Sequence, residues 1–241
     1  MTPPRDRLIV ALDVPTAKAA GEIVRDLGDS VSFYKVGLQL FAAEGPAIVR
    51  ELTAAGRLVF LDLKLHDIPN TVASAVKSVA GLGVDLLTIH AAGGLRMLKA
   101  AVDAAASVPN RPKLLAVTIL TSLTDQELES TGISGGVAGQ VSRMAALAKN
   151  AGCDGVVASA LELPMLRQQL GKEPIILVPG LRPRGSAAGD QARTAEPAQA
   201  IEAGATYLVV GRPITAAENR REAAEAIQKE ISSALRRATV V

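Results

Sequence analysis

The chain of 241 residues is 49% hydrophobic and 21% charged, which suits one ordinary soluble domain with a large buried core and excludes an intrinsically disordered chain. A formal net charge of +2 and an aromatic content of 2% offer too little positive excess and too few stacking rings for a nucleic-acid surface, and leave a small anionic substrate open. The one cysteine, Cys153, excludes an intrachain disulfide and any metal site built on cysteine pairs, and fits a reducing compartment.

With Trp absent, the core is expected from Ala, Val, Leu and Ile, which suit strands buried on both faces and the helices that cover them. The N-terminal residues 1–7 hold no apolar segment long enough for a signal peptide. The longest uncharged apolar stretch, around 114–123, falls well short of the roughly 20 residues of a membrane helix. The expectation is a cytoplasmic protein without a membrane partner.

The first apolar run, 8–12, ends at Asp13 and gives way to helical spacing over 16–27. A run at 33–36 carries Lys35 and precedes a helix over 45–55; a third at 58–63 carries Asp62, leads through Lys64 and Asp67, and precedes a helix over 72–82. The fourth, 85–89, stops at His90 before a helix over 95–106, and the fifth, 114–120, stops at Thr121 and Ser122 before a helix over 137–150. The sixth, 155–158, precedes a helix over 161–170. The seventh, 175–178, enters a stretch rich in Gly, Pro and Arg over 178–191 before a helix over 196–203; its length predicts a mobile lid. The eighth, 207–210, meets Gly211 and Arg212 before a helix over 216–237.

Eight such units in a chain close to the roughly 250 residues typical of the fold predict an α/β protein, a single TIM (β/α)8-barrel domain over 1–241, and not an open doubly wound sheet. Glycines 56, 83, 152 and 204 fall in the helix-to-strand turns, where a helix end calls for left-handed backbone. Polar residues gather on the opposite side, just after the strands, where such barrels place their chemistry.

Period-2 alternation puts Leu58, Phe60, Asp62 and Lys64 on one strand face, so Asp62 and Lys64 point into the barrel mouth, and Lys35 follows Phe33 inward. Two charges alone could merely satisfy each other at a strand end. Two lysines and two aspartates (Lys35, Lys64, Asp62, Asp67) form an alternating set without net charge, which makes burial tolerable, holds the lysines protonated and suits protonation of a carbanion. Asp67 also reads as an N-cap ahead of Pro69. Arg182 and Arg212, either of which alone could be a solvated surface charge, together suggest a phosphate site, since loops seven and eight of this barrel commonly hold phosphate. Thr121 and Ser122 offer neutral hydroxyls for ligand recognition or start a short helix after Thr124. Asp13 could be a ligand contact or a loop-capping acid. Neither His66 nor His90 has a partner at metal-ligand spacing; His90 is expected to be hydrogen-bonded at its strand end and His66 packed or backbone-bonded in its loop, with catalysis assigned to neither.

The run Asp62-Leu63-Lys64-Leu65-His66-Asp67-Ile68-Pro69-Asn70-Thr71 resembles the signature of the orotidine 5′-monophosphate decarboxylase family, and Tyr34-Lys35-Val36-Gly37 resembles that family's second strand end. The similarity runs from Ala11-Leu12-Asp13 to Gly211-Arg212-Pro213-Ile214-Thr215. One departure is Leu181, where the family more often has Ile, with no functional consequence expected. The resemblance implies a cofactor-free and metal-free lyase that converts orotidine 5′-monophosphate to uridine 5′-monophosphate in de novo pyrimidine biosynthesis. It implies that Lys64 donates the proton to C6, that Asp62 faces the leaving carboxylate and that Lys35 is its charged partner. Asp67 and Thr71 would reach the neighbouring subunit's site, which implies a homodimer. Gln191 and Arg182 would belong to the lid near the phosphate, Gly211 and Arg212 to its fixed cradle, Thr121 and Ser122 to the base contact, and Asp13 to the ribose hydroxyls or base.

Two other readings stand beside it. A metal-dependent keto-sugar-phosphate decarboxylase or aldolase on a related barrel shares the Asp-x-Lys-x-x-Asp strand, but would carry an acid where this chain has Lys35. A catalytically silent phosphate-ligand binding protein would have no chemical reason to keep two lysines desolvated beside carboxylates.

Overall fold

The computed structural model describes residues 4–183 and 195–239. Eight parallel strands close into a barrel in sequence order: β1 (Leu8–Ala11), β2 (Phe33–Gly37), β3 (Leu58–Leu65), β4 (Leu86–His90), β5 (Lys113–Val117), β6 (Gly155–Val157), β7 (Ile175–Val178) and β8 (Tyr207–Val210), with β8 returning to pair with β1. The fold class expected from the alternation of apolar runs and helical segments is the one observed.

Closure sorts each strand into two faces. Ile9, Phe33, Phe60, Leu86, Leu115, Leu177 and Val209 fill the barrel interior, while their neighbours Val10, Tyr34, Leu61, Leu87, Leu114, Ile176 and Leu208 pack outward against the helices. Both layers are buried and mostly aliphatic, with Phe33, Tyr34 and Phe60 among them.

The helices are α1 (Ala17–Leu27), α2 (Leu38–Glu44), α3 (Pro46–Ala54), α4 (Pro69–Ala80), α5 (Gly94–Ala106), α6 (Asp125–Ser130), α7 (Gly136–Ala151), α8 (Leu163–Leu170), α9 (Pro197–Glu202), α10 (Arg212–Thr215) and α11 (Arg220–Thr239). Around the outside α4 packs on α5, and α11 packs on α9 and α1. Gly56, Gly83, Gly152 and Gly204 all take positive φ in the turns where the sequence places them. No helix among the described residues is long and apolar enough to cross a membrane.

Four elements differ from the sequence expectation. The helix expected over 45–55 is preceded by a separate one, α2, because Gly45 at φ 61° breaks the run and Pro46 restarts it. β3 continues to Leu65 through an irregular ladder. β5 stops at Val117, where the Thr118 hydroxyl donates to the Val157 carbonyl at 3.0 Å and competes with the ladder. The helix expected over 216–237 begins at Arg220, behind α10, and the Arg220 Nε donates to the Thr215 carbonyl across the break at 2.9 Å.

β6 and β7 approach closely because Gly155, paired with Ile175, has no side chain: a Cβ there would overlap the Ile175 carbonyl oxygen and stand 2.6 Å from the Ile175 Cβ. Gly155→Ala should therefore lower the unfolding free energy by about 1–3 kcal/mol through overpacking, read as a lower urea midpoint at unchanged slope.

Candidate active site

The barrel mouth is organised by ion pairs between strand ends. Lys35, 8% exposed at the centre of β2, puts its Nζ 2.6 Å from Asp13 Oδ1 and 3.9 Å from Asp62 Oδ2. Lys64 Nζ lies 2.8 Å from the same Asp62 Oδ2. The result is a ladder, Asp13–Lys35–Asp62–Lys64, in which each ammonium faces a carboxylate. The second carboxylate in this chain is thus Asp13 and not Asp67: Asp67 is exposed beyond the end of β3, and its Oδ1 accepts the Ile68 N–H at 2.7 Å. Asp67 makes no side-chain cap either, since the helix α4 has Ile68 at its N-cap position without such a bond.

Gly37 makes the ladder possible. A Cβ at this position would stand 2.7 Å from Lys35 Nζ and 2.9 Å from Asp13 Oδ1, inside the space the pair occupies. Its φ of −97° is open to any residue, so the requirement is one of volume.

Strict alternation carries Asp62 inward, but Lys64 arrives by another route. β3 pairs Leu61 with Leu87 and then Leu65 with Ile89, so four steps of β3 match two of β4. Lys64 absorbs the excess with φ at 51°, in the left-handed region that non-glycine residues rarely adopt. Its backbone N–H donates to the buried Thr88 hydroxyl at 2.8 Å, and that hydroxyl donates to Asp62 Oδ1 at 3.0 Å.

A cavity of about 460 Å³ opens over this ladder. Asp13, Lys35, Asp62 and Lys64 line one part of it, and Thr121, Arg182, Gly211 and Arg212 line others. Ser122 is exposed and outside the lining; the short helix weighed for this region is α6, closed by a capping box in which Thr124 Oγ1 accepts the Glu127 N–H at 3.3 Å and Glu127 Oε2 accepts the Thr124 N–H at 2.8 Å. Thr71 is exposed on α4 and, like Asp67, does not line the cavity of its own chain. Gln191, and with it most of the expected lid over 178–191, lies outside the described residues. Sequence reasoning missed Phe60, Pro179, Gly180 and Thr215 in the lining and Thr88 behind it. Alternation was signal enough for Phe60 and Thr88, which share their strand faces with Asp62 and with Leu86.

Burial, and then the neighbouring Arg212, push the Arg182 guanidinium below its ordinary value. Two arginines close enough to repel across one cavity are relieved by an anion between them. The His90 Nδ1 accepts the Ala92 N–H at 3.3 Å, as expected of a strand-end histidine, and its ring stacks on His66 with centroids 5.3 Å apart. Burial pushes the Cys153 thiol up to about 12, which leaves it a poor nucleophile. Among the described residues no group of three or more His, Cys, Asp or Glu could hold a metal ion.

Comparison with known proteins bears on what such a site does. The model of the "Orotidine 5′-phosphate decarboxylase / HUMPS family" matches residues 6–227. A protein of Nitrosococcus oceani named orotidine 5′-phosphate decarboxylase is 48% identical over 229 residues, covering 95% of this chain and 99% of its own. One of Afipia carboxidovorans with the same name is 52% identical over 233 residues, with 97% of each chain covered. The crystal structure of orotidine 5′-phosphate decarboxylase from Lactobacillus acidophilus superposes with a TM-score of 0.84 at 42% identity, over 94% of this chain and 99% of that one.

Burial lowers His90 below its usual 6.5, with His66 and Lys64 adding to the effect. Above that value folded and unfolded chains both hold it neutral; below it the unfolded chain takes up a proton that the folded chain resists, so stability falls as the pH drops. His90→Gln should accordingly flatten the loss of thermal stability on acidification from pH 7 to about 5. Parallel melting curves across that range test this, and an unchanged slope would refute it.

Proposed function

The chain belongs to the orotidine 5′-phosphate decarboxylase / HUMPS family and acts as its decarboxylase, and we propose that it does so without metal or cofactor, Lys64 protonating C6 of orotidine 5′-monophosphate to give uridine 5′-monophosphate. The observation that carries the reading is the Asp13–Lys35–Asp62–Lys64 ladder opening into a cavity lined also by two arginines. As the bond between C6 and the substrate carboxylate breaks, CO2 departs and the electron pair stays on C6. The proton on Lys64 Nζ moves to that carbon, and solvent reprotonates the amine.

Lysine chemistry alone is insufficient. The ring delocalises the C6 carbanion poorly, and enzymes facing barriers of this size supply roughly 20 kcal/mol or more. One ammonium ~4 Å from the carbanion contributes about 4 kcal/mol at an effective dielectric of 20. Phosphate bound by Arg182, Gly211 and Arg212, with Gln191 as a further contact, would divert remote binding energy into holding the substrate against the preformed array and excluding water. Charge supports this: the cavity lining holds Lys35, Lys64, Arg182 and Arg212 against Asp13 and Asp62, an excess of positive charge suited to a phosphorylated carboxylate. Asp13, whose side chain stays 55% exposed while paired with Lys35, keeps a face for the ribose hydroxyls or base, and Thr121 and Ser122 would meet the pyrimidine.

The Lys35 ammonium also argues against the metal-dependent reading, because it stands between the Asp13 and Asp62 carboxylates that a divalent ion would need. Metal-free action is thus favoured by where this cation sits.

A homodimer, working in the cytoplasm, completes the proposal. Asp67 and Thr71 are exposed on the rim, and Ile68 between them is 68% exposed, with Leu38 at 58% at the start of α2 and Leu95 at 38% in the first turn of α5. Apolar residues at the helix starts around a mouth are suited to burial against a second copy, which would bring Asp67 and Thr71 to the partner's ladder.

Purified protein should consume orotidine 5′-monophosphate, followed by ultraviolet absorbance, at a rate unaffected by excess EDTA, and Lys64→Ala should lower kcat at least about a hundredfold. Turnover abolished by EDTA would instead identify the metal-dependent chemistry. If Asp67 serves the partner's site, randomly mixing inactive Lys64→Ala and Asp67→Asn subunits should restore about a quarter of wild-type activity, since half the dimers are mixed and each has one intact site. No recovery on mixing would confine every site to one chain.

A further inference from the structure

We propose that Thr88 is a positioning residue for the Asp62–Lys64 pair, acting through a single hydroxyl that fixes the carboxylate and the lysine backbone at once. The inference rests on the reading that this pair performs the proton transfer.

Thr88 is fully buried in the middle of β4, on the inward face between Leu86 and His90. Its Oγ1 donates to Asp62 Oδ1 at 3.0 Å and accepts the Lys64 N–H at 2.8 Å. The donated bond occupies Oδ1, so Oδ2 is the oxygen turned to both ammoniums, Lys64 at 2.8 Å and Lys35 at 3.9 Å. Partial rotation of the carboxylate about its terminal torsion would carry Oδ2 off both ammoniums and lengthen these contacts, and that torsion is intrinsically soft. A hydroxyl donor on one oxygen removes the freedom.

The accepted bond acts on the other partner. Lys64 holds φ at 51° in the stretch where β3 has two residues more than β4, so its N–H has lost the ladder partner a regular strand would supply. Thr88 stands in for that partner from the side-chain layer. Without it, Lys64 can relax toward extended backbone, which carries the ammonium away from Asp62 and from the carbon it must protonate. Valine fills the same volume with neither donor nor acceptor, whereas serine keeps both.

The experiment compares wild type, Thr88→Val and Thr88→Ser for orotidine 5′-monophosphate turnover and, by NMR, for hydrogen exchange at the Lys64 amide. Thr88→Val should lower kcat by about tenfold to a hundredfold while KM changes little, because alignment at the reacting atom is lost and phosphate binding is not. Its Lys64 amide should exchange faster, and Thr88→Ser should recover both readouts. Thr88→Ala serves the same comparison if circular dichroism finds the valine variant unfolded. Wild-type kcat in the valine variant, unchanged exchange at Lys64, or a serine variant as impaired as valine would each overturn the proposal. A wild-type protein without turnover would overturn the decarboxylase reading instead, and the exchange data would still decide whether Thr88 holds Lys64.

Discussion

One carboxylate oxygen, Asp62 Oδ2, faces two ammonium groups at the mouth of the barrel, and most of what surrounds it exists to make that arrangement tolerable. Two lysines brought together in a partly buried site repel each other unless opposed by carboxylates. Asp13 takes the outer side of Lys35, Gly37 leaves the volume for that contact, and Thr88 holds the remaining Asp62 oxygen. Remove any of these and the cost of the buried charges is no longer offset.

The barrel separates this burden from its own stability. Interior and outer layers below the mouth are apolar, and the charges occupy the part of the barrel that lines the cavity, where solvent is near. Backbone hydrogen bonds around a closed barrel leave no edge to defend, so the mouth carries strain, such as the left-handed Lys64, without exposing a route to unfolding. Rigidity at the strand ends also supports the proposed chemistry, because an array preorganised before substrate arrives needs no rearrangement at the moment of reaction.

Much of this was legible in the sequence. Apolar period and glycine-marked turns marked all eight strands in order, and polar residues after the strands pointed to the mouth where the cavity opens. Lys35, Asp62 and Lys64 were found by alternation, although β3 is irregular, because an insertion of two residues preserves the parity of inward and outward positions. An insertion of one would have sent Lys64 outward and defeated the reading. Asp13 was recognised as a mouth residue but not as the counter-charge of Lys35, since that contact depends on how β1 and β2 are staggered, a property of closure and not of local pattern. Asp67 was the natural fourth member by proximity along the chain, and the departure of the chain from the barrel after Leu65 is what keeps it out of the ladder of its own chain. Thr88 was passed over because a threonine in a strand is ordinary; its significance comes from the Lys64 N–H and the Asp62 carboxylate that its hydroxyl joins. The helix α2 was hidden because its seven residues run straight out of β2 without a polar cap, Gly37 having no side chain to provide one.

The two surplus residues of β3 set the geometry around Lys64 by a difference in length between neighbouring strands. No series of single substitutions converts such a strand into a regular one, or a regular one into it. The passage between a bare barrel and this mouth runs through an in-frame gain or loss of two codons, so libraries that vary residue identity at fixed length explore only one side of that divide.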